Sequence, residues 1–206
     1  RAQDAASQRG SLEMTQTEWK PRTQRIVEVL PEEIDDFEAE VKRFQAGEWT
    51  PNEFMALRLR QGVYGQRQAD TQMVRVKVPF GGLTADQLDA LGVFAEKYAP
   101  LRKGHVTTRE NFQFHHVQLS DTPAIMRILG DAGLSTREAC GNTVRNVTGC
   151  PLAGVCADEP FDVTPYAAAY SRYFVRHPFT QALPRKFKTA FSGCQRDCAI
   201  TAIHDM

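Results

Sequence analysis

"MVRVKVPFGGLTADQLDALGVFAEKYA", residues 73–99, changes its hydrophobic period part-way along, and that change sets the fold class. MVRVKVP alternates strictly. Val74, Val76 and Val78 share one face of an extended strand, and Arg75 and Lys77 share the other. After two glycines the period becomes helical. Thr84 is placed to cap the helix, with Gln87 three residues on to complete a capping box. Leu88, Leu91, Phe94 and Tyr98 form its apolar stripe. Downstream, "GHVTT" (104–108) and "NFQFHHVQL" (111–119) read as two strands joined tightly around Arg109 and Glu110. "DTPAIMRILGDAG" (121–133) reads as a helix with Asp121 as cap, Pro123 in the first turn and Gly133 as the stop.

The order β-α-β-β-α resembles half of a ferredoxin-like split unit, so an α+β class is expected. Upstream, "PEEIDDFEAEVKRF" (31–44) has Ile34, Phe37, Val41 and Phe44 at helical spacing, with acids crowding the first turn. Residues 48–68 suggest a short helix and a glycine-punctuated loop. Residues 1–30 are polar and aperiodic and read as a flexible lead-in. Beyond the helix at 121–133 comes a loop-rich segment, "CGNTVRNVTGCPLAGVCADEPFDV" (140–163). A further helix is expected to begin with Thr164 as cap and Pro165 at its first position, and "RKFKTAF" (185–191) reads as a closing strand. The expected organisation is a lead-in over 1–30, a first unit over 31–135 and a second over 136–206.

Composition excludes some classes. The 206 residues are 42% hydrophobic and 24% charged, with 25 basic and 25 acidic side chains. A formal net charge of zero argues against a nucleic-acid binder, which carries a basic excess. No run of 18 apolar residues exists to span a membrane. The opening residues lack the apolar stretch of a secretory signal, so a cytoplasmic location is expected. The chain begins with Arg1, and "MTQTEWKPRTQ" from Met14 reads as a start site. The final "CAITAIHDM" reads as the beginning of a helix without its cap, so a fragment of a longer protein is expected.

Five cysteines remain: Cys140, Cys150, Cys156, Cys194 and Cys198. Five residues separate Cys150 from Cys156, three separate Cys194 from Cys198, and 37 lie between the pairs. Without a secretory signal, metal or redox chemistry is the stronger reading and disulfides the weaker. Both pairs sit in glycine-bearing loops, which fold closely around a ligand. Four thiolates from two turns suit a 4Fe-4S cluster, with a helix starting near Cys198 aiming N–H groups at it. Structural zinc accepts the three-residue spacing but not readily the five-residue one, and buried unligated thiols are the third reading. Cys140 reads as a small buried residue.

The surrounding residues narrow these alternatives. "MVRVKVPFGGLT", "HVTTRENFQFH", "RNVTGCPLAGVC" and "LPRKFKTAFSGCQRDCA" occur in this order from about residue 60 to the end. In these motifs the chain resembles the siroheme-dependent nitrite/sulfite reductase family. The resemblance implies a ferredoxin-like half domain followed by an α/β siroheme/4Fe-4S domain, the latter truncated here. It implies Cys150, Cys156, Cys194 and Cys198 as cluster ligands, with Cys198 bridging to the siroheme iron and the four sulfurs within about 7 Å of one another. It implies Arg75, Arg145, Lys186 and Lys188 as the cations that hold an anionic substrate. It implies Thr107, Thr108, Arg109, Gln113 and His115 as binders of siroheme carboxylates. Independently, Lys186 and Lys188 are two apart on a strand and so share a face, about 6–7 Å apart.

The activity so implied is six-electron reduction of nitrite to ammonia or of sulfite to sulfide, with electrons from ferredoxin or a flavoprotein. Duplicated members of the family carry the cations in a first half without cysteines and the cluster in a second half. This chain has the arrangement of a first half but keeps all four cysteines. A downstream half or a second copy is therefore the expected partner, and the isolated fragment is expected to be inactive. The competing reading is a 4Fe-4S electron-transfer or structural module without siroheme.

Overall fold

The computed structural model describes residues 26–68 and 70–206. Most of the expected lead-in, and the expected start at Met14, lie outside the described residues. The last part of that lead-in is packed: Ile26 and Val27 are buried.

Two helices come first, α1 (Pro31–Gln45) and α2 (Pro51–Arg60). Ile34, Phe37 and Val41 of α1 are buried, while Phe44 is half-buried and stacks on Phe54 of α2 at 4.4 Å. A four-stranded antiparallel sheet follows in the order β1-β2-β4-β3, from β1 (Val63–Gly65), β2 (Thr71–Val76), β3 (His105–Val106) and β4 (Phe112–Gln118). Strand β1 is an addition to the sequence reading, which left it inside the loop after α2. Three residues are too few to show a period. Helices α3 (Ala85–Tyr98) and α4 (Thr122–Asp131) complete the unit. The chain is α+β, with helices packed on an antiparallel sheet.

Val74, Val76 and Val78 are all fully buried, and Phe94 of α3 stacks on Phe114 of β4 at 3.9 Å. Thr84 caps α3 through a complete capping box with Gln87. The buried stripe of that helix is rotated from the expected one: Gln87 is 1% exposed while Leu88 is 50% exposed. The cap explains the rotation, because Gln87 must turn back toward the Thr84 backbone. Asp121 precedes α4 but makes no side-chain cap, because its backbone is already helical. Gly133 does stop that helix at φ 79°.

The second part holds α5 (Thr164–Phe174) and a short parallel pair, β5 (Thr148–Gly149) with β6 (Ala190–Phe191). Thr164 is the first residue of α5 rather than its cap, and its hydroxyl and N–H both donate to Asp162. Only residues 190–191 of the expected strand at 185–191 are regular, although its earlier residues also pair. Phe187 N donates to Thr143 O, Arg145 N to Phe187 O and Thr148 N to Thr189 O. The expected terminal helix is a single 3-10 turn (Thr201–Ile203), because Ile200 before it is left-handed at φ 53°. Beyond that turn the chain pairs with the other edge of the closing stretch: Asp205 N donates to Lys188 O and Ala190 N to Met206 O.

One buried carboxylate joins these parts. Glu138 is fully buried, and its Oε1 accepts from Arg176 N at 2.8 Å and Gln181 Nε2 at 2.9 Å. Arg137 Nε lies 3.4 Å away. Arg176 in turn grips Glu33 of α1 through Nε (2.8 Å) and Nη2 (2.7 Å). Lys77, the residue after β2, which bridges to Ser135, is 3% exposed. Burial pushes its ammonium down to about 8, and the Glu138 charge opposes that shift. Removing one member of a buried ionic set leaves the rest uncompensated. Glu138→Ala is therefore expected to lose about 3–5 kcal/mol of stability, read from the urea midpoint. Glu138→Gln, which keeps an acceptor for Arg176 and Gln181, should lose less. An unchanged midpoint for the alanine variant would show that this set holds nothing together.

Candidate functional site

Six of the nine residues that the family resemblance assigns to substrate or siroheme line one cavity of about 200 Å³: Arg75, Thr107, Thr108, Arg109, Gln113 and Arg145, joined by Asn111. The fold explains the meeting. Arg75 points off the face of β2 opposite its valines, and it is opposite Gln113 in the β2–β4 register. The turn between β3 and β4 carries Thr107 to Asn111 and is held by Thr107 Oγ1, which accepts from Arg109 N and Asn111 N. Arg145 arrives on the loop before β5, pinned by its N–H to Phe187 O.

The cavity is strongly cationic. No carboxylate lines it, and three guanidiniums do. Arg75 donates to Ala139 O at 3.1 Å, and the hydrogen-bond network turns the Gln113 carboxamide oxygen to accept from its Nε at 2.9 Å. Arg145 donates to Gly141 O at 3.0 Å. Arg109 donates to the carbonyls of Asn146 and Thr189, yet its Nε and Nη1 are buried with no partner. Burial lowers the pKa of both Arg109 and Arg145. The Arg145 charge adds to the effect on Arg109, and Arg75 adds to that on Arg145. Such a set seeks an anion: unpaired buried donors are costly, and a bidentate oxyanion would satisfy them.

The other three assigned residues lie outside the cavity lining. Lys186 is exposed, and Lys188 is half-buried with its backbone N–H on Asp205 Oδ2 at 2.8 Å. They flank the cavity through their neighbours, since the Phe187 and Thr189 carbonyls hold Arg145 and Arg109. Neither lysine lines the cavity with Arg75 and Arg145, which donate to the backbone carbonyls of Ala139 and Gly141. His115 pairs with Gln66 at 3.2 Å and meets His105 edge-on at 5.2 Å. Burial, then the His105 and His116 charges, lower its pKa.

The two cysteine loops lie side by side. Cys150 N donates to Phe191 O, and Arg196 pairs with Asp158 across the loops at 2.6 Å. Cys198 and Cys156 both act on the Cys150 thiol. Burial pushes the Cys150 thiol up, with Cys198 adding to the effect. Cys194 lines a separate cavity with Asp158, Gly193 and Arg196. Among the described residues, no three His, Cys, Asp or Glu side chains are drawn to metal-ligand distance. The two loops that carry the four thiols are thus adjacent, joined through Cys150 N on Phe191 O and the Arg196–Asp158 pair. The donor set is thiol throughout, which suits iron–sulfur chemistry or zinc. Cys140 belongs to neither loop and is buried, 2% exposed, with Arg75 and Arg145 as its charged neighbours.

Two polar residues escaped the sequence reading. Asn146 is fully buried, and its Nδ2 donates to Val78 O (2.7 Å) and Arg109 O (3.0 Å), tying strand, turn and loop together. Glu110 has a left-handed backbone at φ 58° and accepts from Gly149 N at 3.1 Å, one residue before Cys150. It lines an apolar cavity of about 470 Å³ with Phe80, Phe112 and Cys150. Gly149 is required there, since a Cβ would come within 2.8 Å of Phe80 Cβ. Neither role leaves a periodic signal. The only hint was the adjacency of Asn146 and Glu110 to the motif arginines.

Two family models match in the order of the two parts. The nitrite/sulfite reductase ferredoxin-like half domain matches residues 64–132, and the nitrite and sulphite reductase 4Fe-4S domain matches residues 140–206. The chain belongs to the nitrite/sulfite reductase family. The second model, described as a 4Fe-4S domain, covers the stretch that carries all five cysteines and supports an iron–sulfur cofactor. Among relatives in this reductase family, a sulfite reductase [ferredoxin] of Mycobacterium tuberculosis is 40% identical over 123 residues, 60% of this chain and 22% of the relative. A ferredoxin--nitrite reductase of Leptolyngbya laminosa is 33% identical over 138 residues, 65% of this chain and 27% of the relative. The chain thus spans about a quarter of the length of these curated relatives. The solved NirA protein of Mycobacterium tuberculosis superposes with a TM-score of 0.68 at 28% identity, covering 85% of this chain and 38% of NirA. No helix among the described residues is long and apolar enough to cross a membrane.

Glu110 gives this reductase-family chain a testable pH dependence. Burial raises its carboxyl to about 7, against the pull of Gly149 N–H and Arg109. A carboxyl with a raised folded-state value contributes its stabilisation at acid pH and loses it as pH rises through that value. Stability should therefore fall between about pH 4.5 and pH 7, and Glu110→Gln should flatten that limb of a thermal-melt series. The same slope in the variant would assign it to other groups.

Proposed function

We propose that this chain supplies the anion-binding part of a siroheme-dependent reductase that takes nitrite to ammonia or sulfite to sulfide with six electrons. The arginine cavity carries this reading, above all the two buried, unpartnered donor groups of Arg109. Arg109, Thr107, Thr108 and Gln113 are placed to receive the carboxylates of the macrocycle, whose charge would satisfy those donors. Arg75 and Arg145 hold the small oxyanion, and a cationic site out of bulk water stabilises the charge of a bound anion strongly. Lys186 and Lys188 approach from the flanking closing stretch and deliver protons as oxygen leaves.

Cys150, Cys156, Cys194 and Cys198 are the thiols we assign to the 4Fe-4S cluster. The family description and the adjacency of the two loops support this assignment. When bound, siroheme and cluster supply the electron transfer. Relatives are named for ferredoxin dependence, which supports ferredoxin as the donor, and both nitrite and sulfite reductases occur among them.

The test is reconstitution of the purified chain with siroheme, ferrous iron and sulfide, followed by an absorption spectrum. Soret and red bands are expected, and Arg109→Ala should reduce the siroheme retained after gel filtration while leaving the cluster content. Uptake of iron and sulfide alone, with only a broad violet shoulder, would replace this reading with that of an electron-transfer module lacking siroheme.

A further inference from the structure

The tripeptide Ala139–Cys140–Gly141 touches both arginines that the reading above gives to the oxyanion, and neither the family models nor the relatives' names give it a role. Ala139 O accepts from Arg75 Nη1 at 3.1 Å, and Gly141 O accepts from Arg145 Nη1 at 3.0 Å. Between them the Cys140 carbonyl is occupied by the Thr143 hydroxyl at 3.4 Å, so it does not compete for either guanidinium. Ala139 itself is fully buried and its N–H donates to Thr136 O. Both ends of the tripeptide are thus fixed, one by packing and one by backbone conformation.

That conformation is specific. Gly141 has φ 84°, in the region that L side chains rarely adopt. Its carbonyl direction toward Arg145 depends on it. Glycine holds this left-handed conformation without the steric cost that a side chain would add. The side chain between the carbonyls is also suited to the place. Cys140 is small and buried among the arginines, and burial keeps its thiol protonated against their pull. An aspartate there would cancel part of the cavity's charge, and a larger residue would push the two carbonyls apart.

We propose that Ala139–Cys140–Gly141 is the positioning element of the anion site. Its two carbonyls fix the separation and aim of Arg75 and Arg145, and so set which small oxyanion the pair accepts. The proposal rests on the reading of the cavity as an oxyanion site. With Arg75 held also by Gln113, these hydrogen bonds keep each guanidinium in one orientation, and such pre-organisation raises affinity without new contacts. The residues act through the arginines and do not touch the anion.

The experiment compares the chain with its Gly141→Ala and Gly47→Ala variants. Gly47 also has a left-handed backbone, φ 81°, but a Cβ there meets nothing within 4 Å, so it controls for backbone strain alone. Two quantities are read on each: nitrite and sulfite affinity by calorimetry at low ionic strength, and the ¹⁵N NMR signals of the arginine Nε–H groups. Gly141→Ala should shift the Arg145 signal while leaving Arg127, a surface arginine paired with Asp35 and Glu38, unchanged. It should also weaken oxyanion binding about tenfold, the scale of one hydrogen bond to a charged group. Gly47→Ala should do neither, even if it lowers the melting temperature. An unmoved Arg145 signal overturns the proposal whatever the anion affinities. A moved signal with wild-type affinity for both anions also overturns it, since positioning would then not serve binding. If the wild-type chain binds neither anion while the Arg145 signal still moves, the oxyanion reading fails and the carbonyl contact stands as structural only, which removes the proposal.

Discussion

The buried Glu138 carboxylate is the constraint on which the arrangement of this molecule depends. A fully desolvated carboxylate needs donors and compensating charge, and here its Oε1 hydrogen bonds and its nearby guanidinium come from separate parts of the chain. Arg176 follows α5, Gln181 follows the next turn, and Arg137 is its sequence neighbour. Through Arg176 the same set reaches Glu33 at the start of α1. Lys77 brings in the sheet, since its backbone N–H pairs with Ser135 O and its ammonium is buried near Glu138. The segment from 135 to 141 is therefore fixed from several directions. Immediately beyond Glu138 that segment offers the carbonyls that hold Arg75 and Arg145. The orientation of the cationic cavity follows from a charge buried outside it.

The first part of the fold was legible because its signals are periodic. Alternation placed the valines of β2 inward, and the Thr84–Gln87 box set the start of α3. Even there the box overrode the stripe and exposed Leu88. The second part was less legible. Its ladder between residues 143–150 and 187–191 is parallel and mostly irregular, so neither segment had to alternate cleanly. Of the site, the arginines and the threonine-rich turn were readable from the motif, and the cavity collects them. The roles of Asn146 and Glu110 were not, because both depend on backbone groups that are distant in sequence. The hydrogen bonds of Arg75 and Arg145 to the Ala139 and Gly141 carbonyls likewise have no sequence signature.

Cations and thiols lie close in this chain yet do not share a cavity. The arginines face a space lined by the β3–β4 turn, while Cys150 faces an apolar space on the other side of Glu110. Cys140 does neighbour Arg75 and Arg145, and its burial opposes their pull, but keeping the loop thiols out of the guanidinium cavity has an electrostatic logic. Cationic groups beside a thiol favour the thiolate and would spend their charge on it. Burial instead holds Cys150 protonated, and the guanidiniums remain available to an external anion.

The parallel ladder also bears on how the molecule comes together in time. Thr148 and Thr189 are 41 residues apart in sequence, and the contacts between the two cysteine loops depend on that long closure. The antiparallel sheet closes over a comparable span, since Thr71 pairs with Gln118 and Val76 with Phe112. Neither set of pairings is local, and the entropy of such a closure is compensated only once the partners meet. The two cysteine pairs are therefore brought together only when the chain between them has closed. A cofactor delivered before that closure would find two separate pairs of thiols. One delivered after it would find them presented together, so maturation depends on folding as much as on affinity.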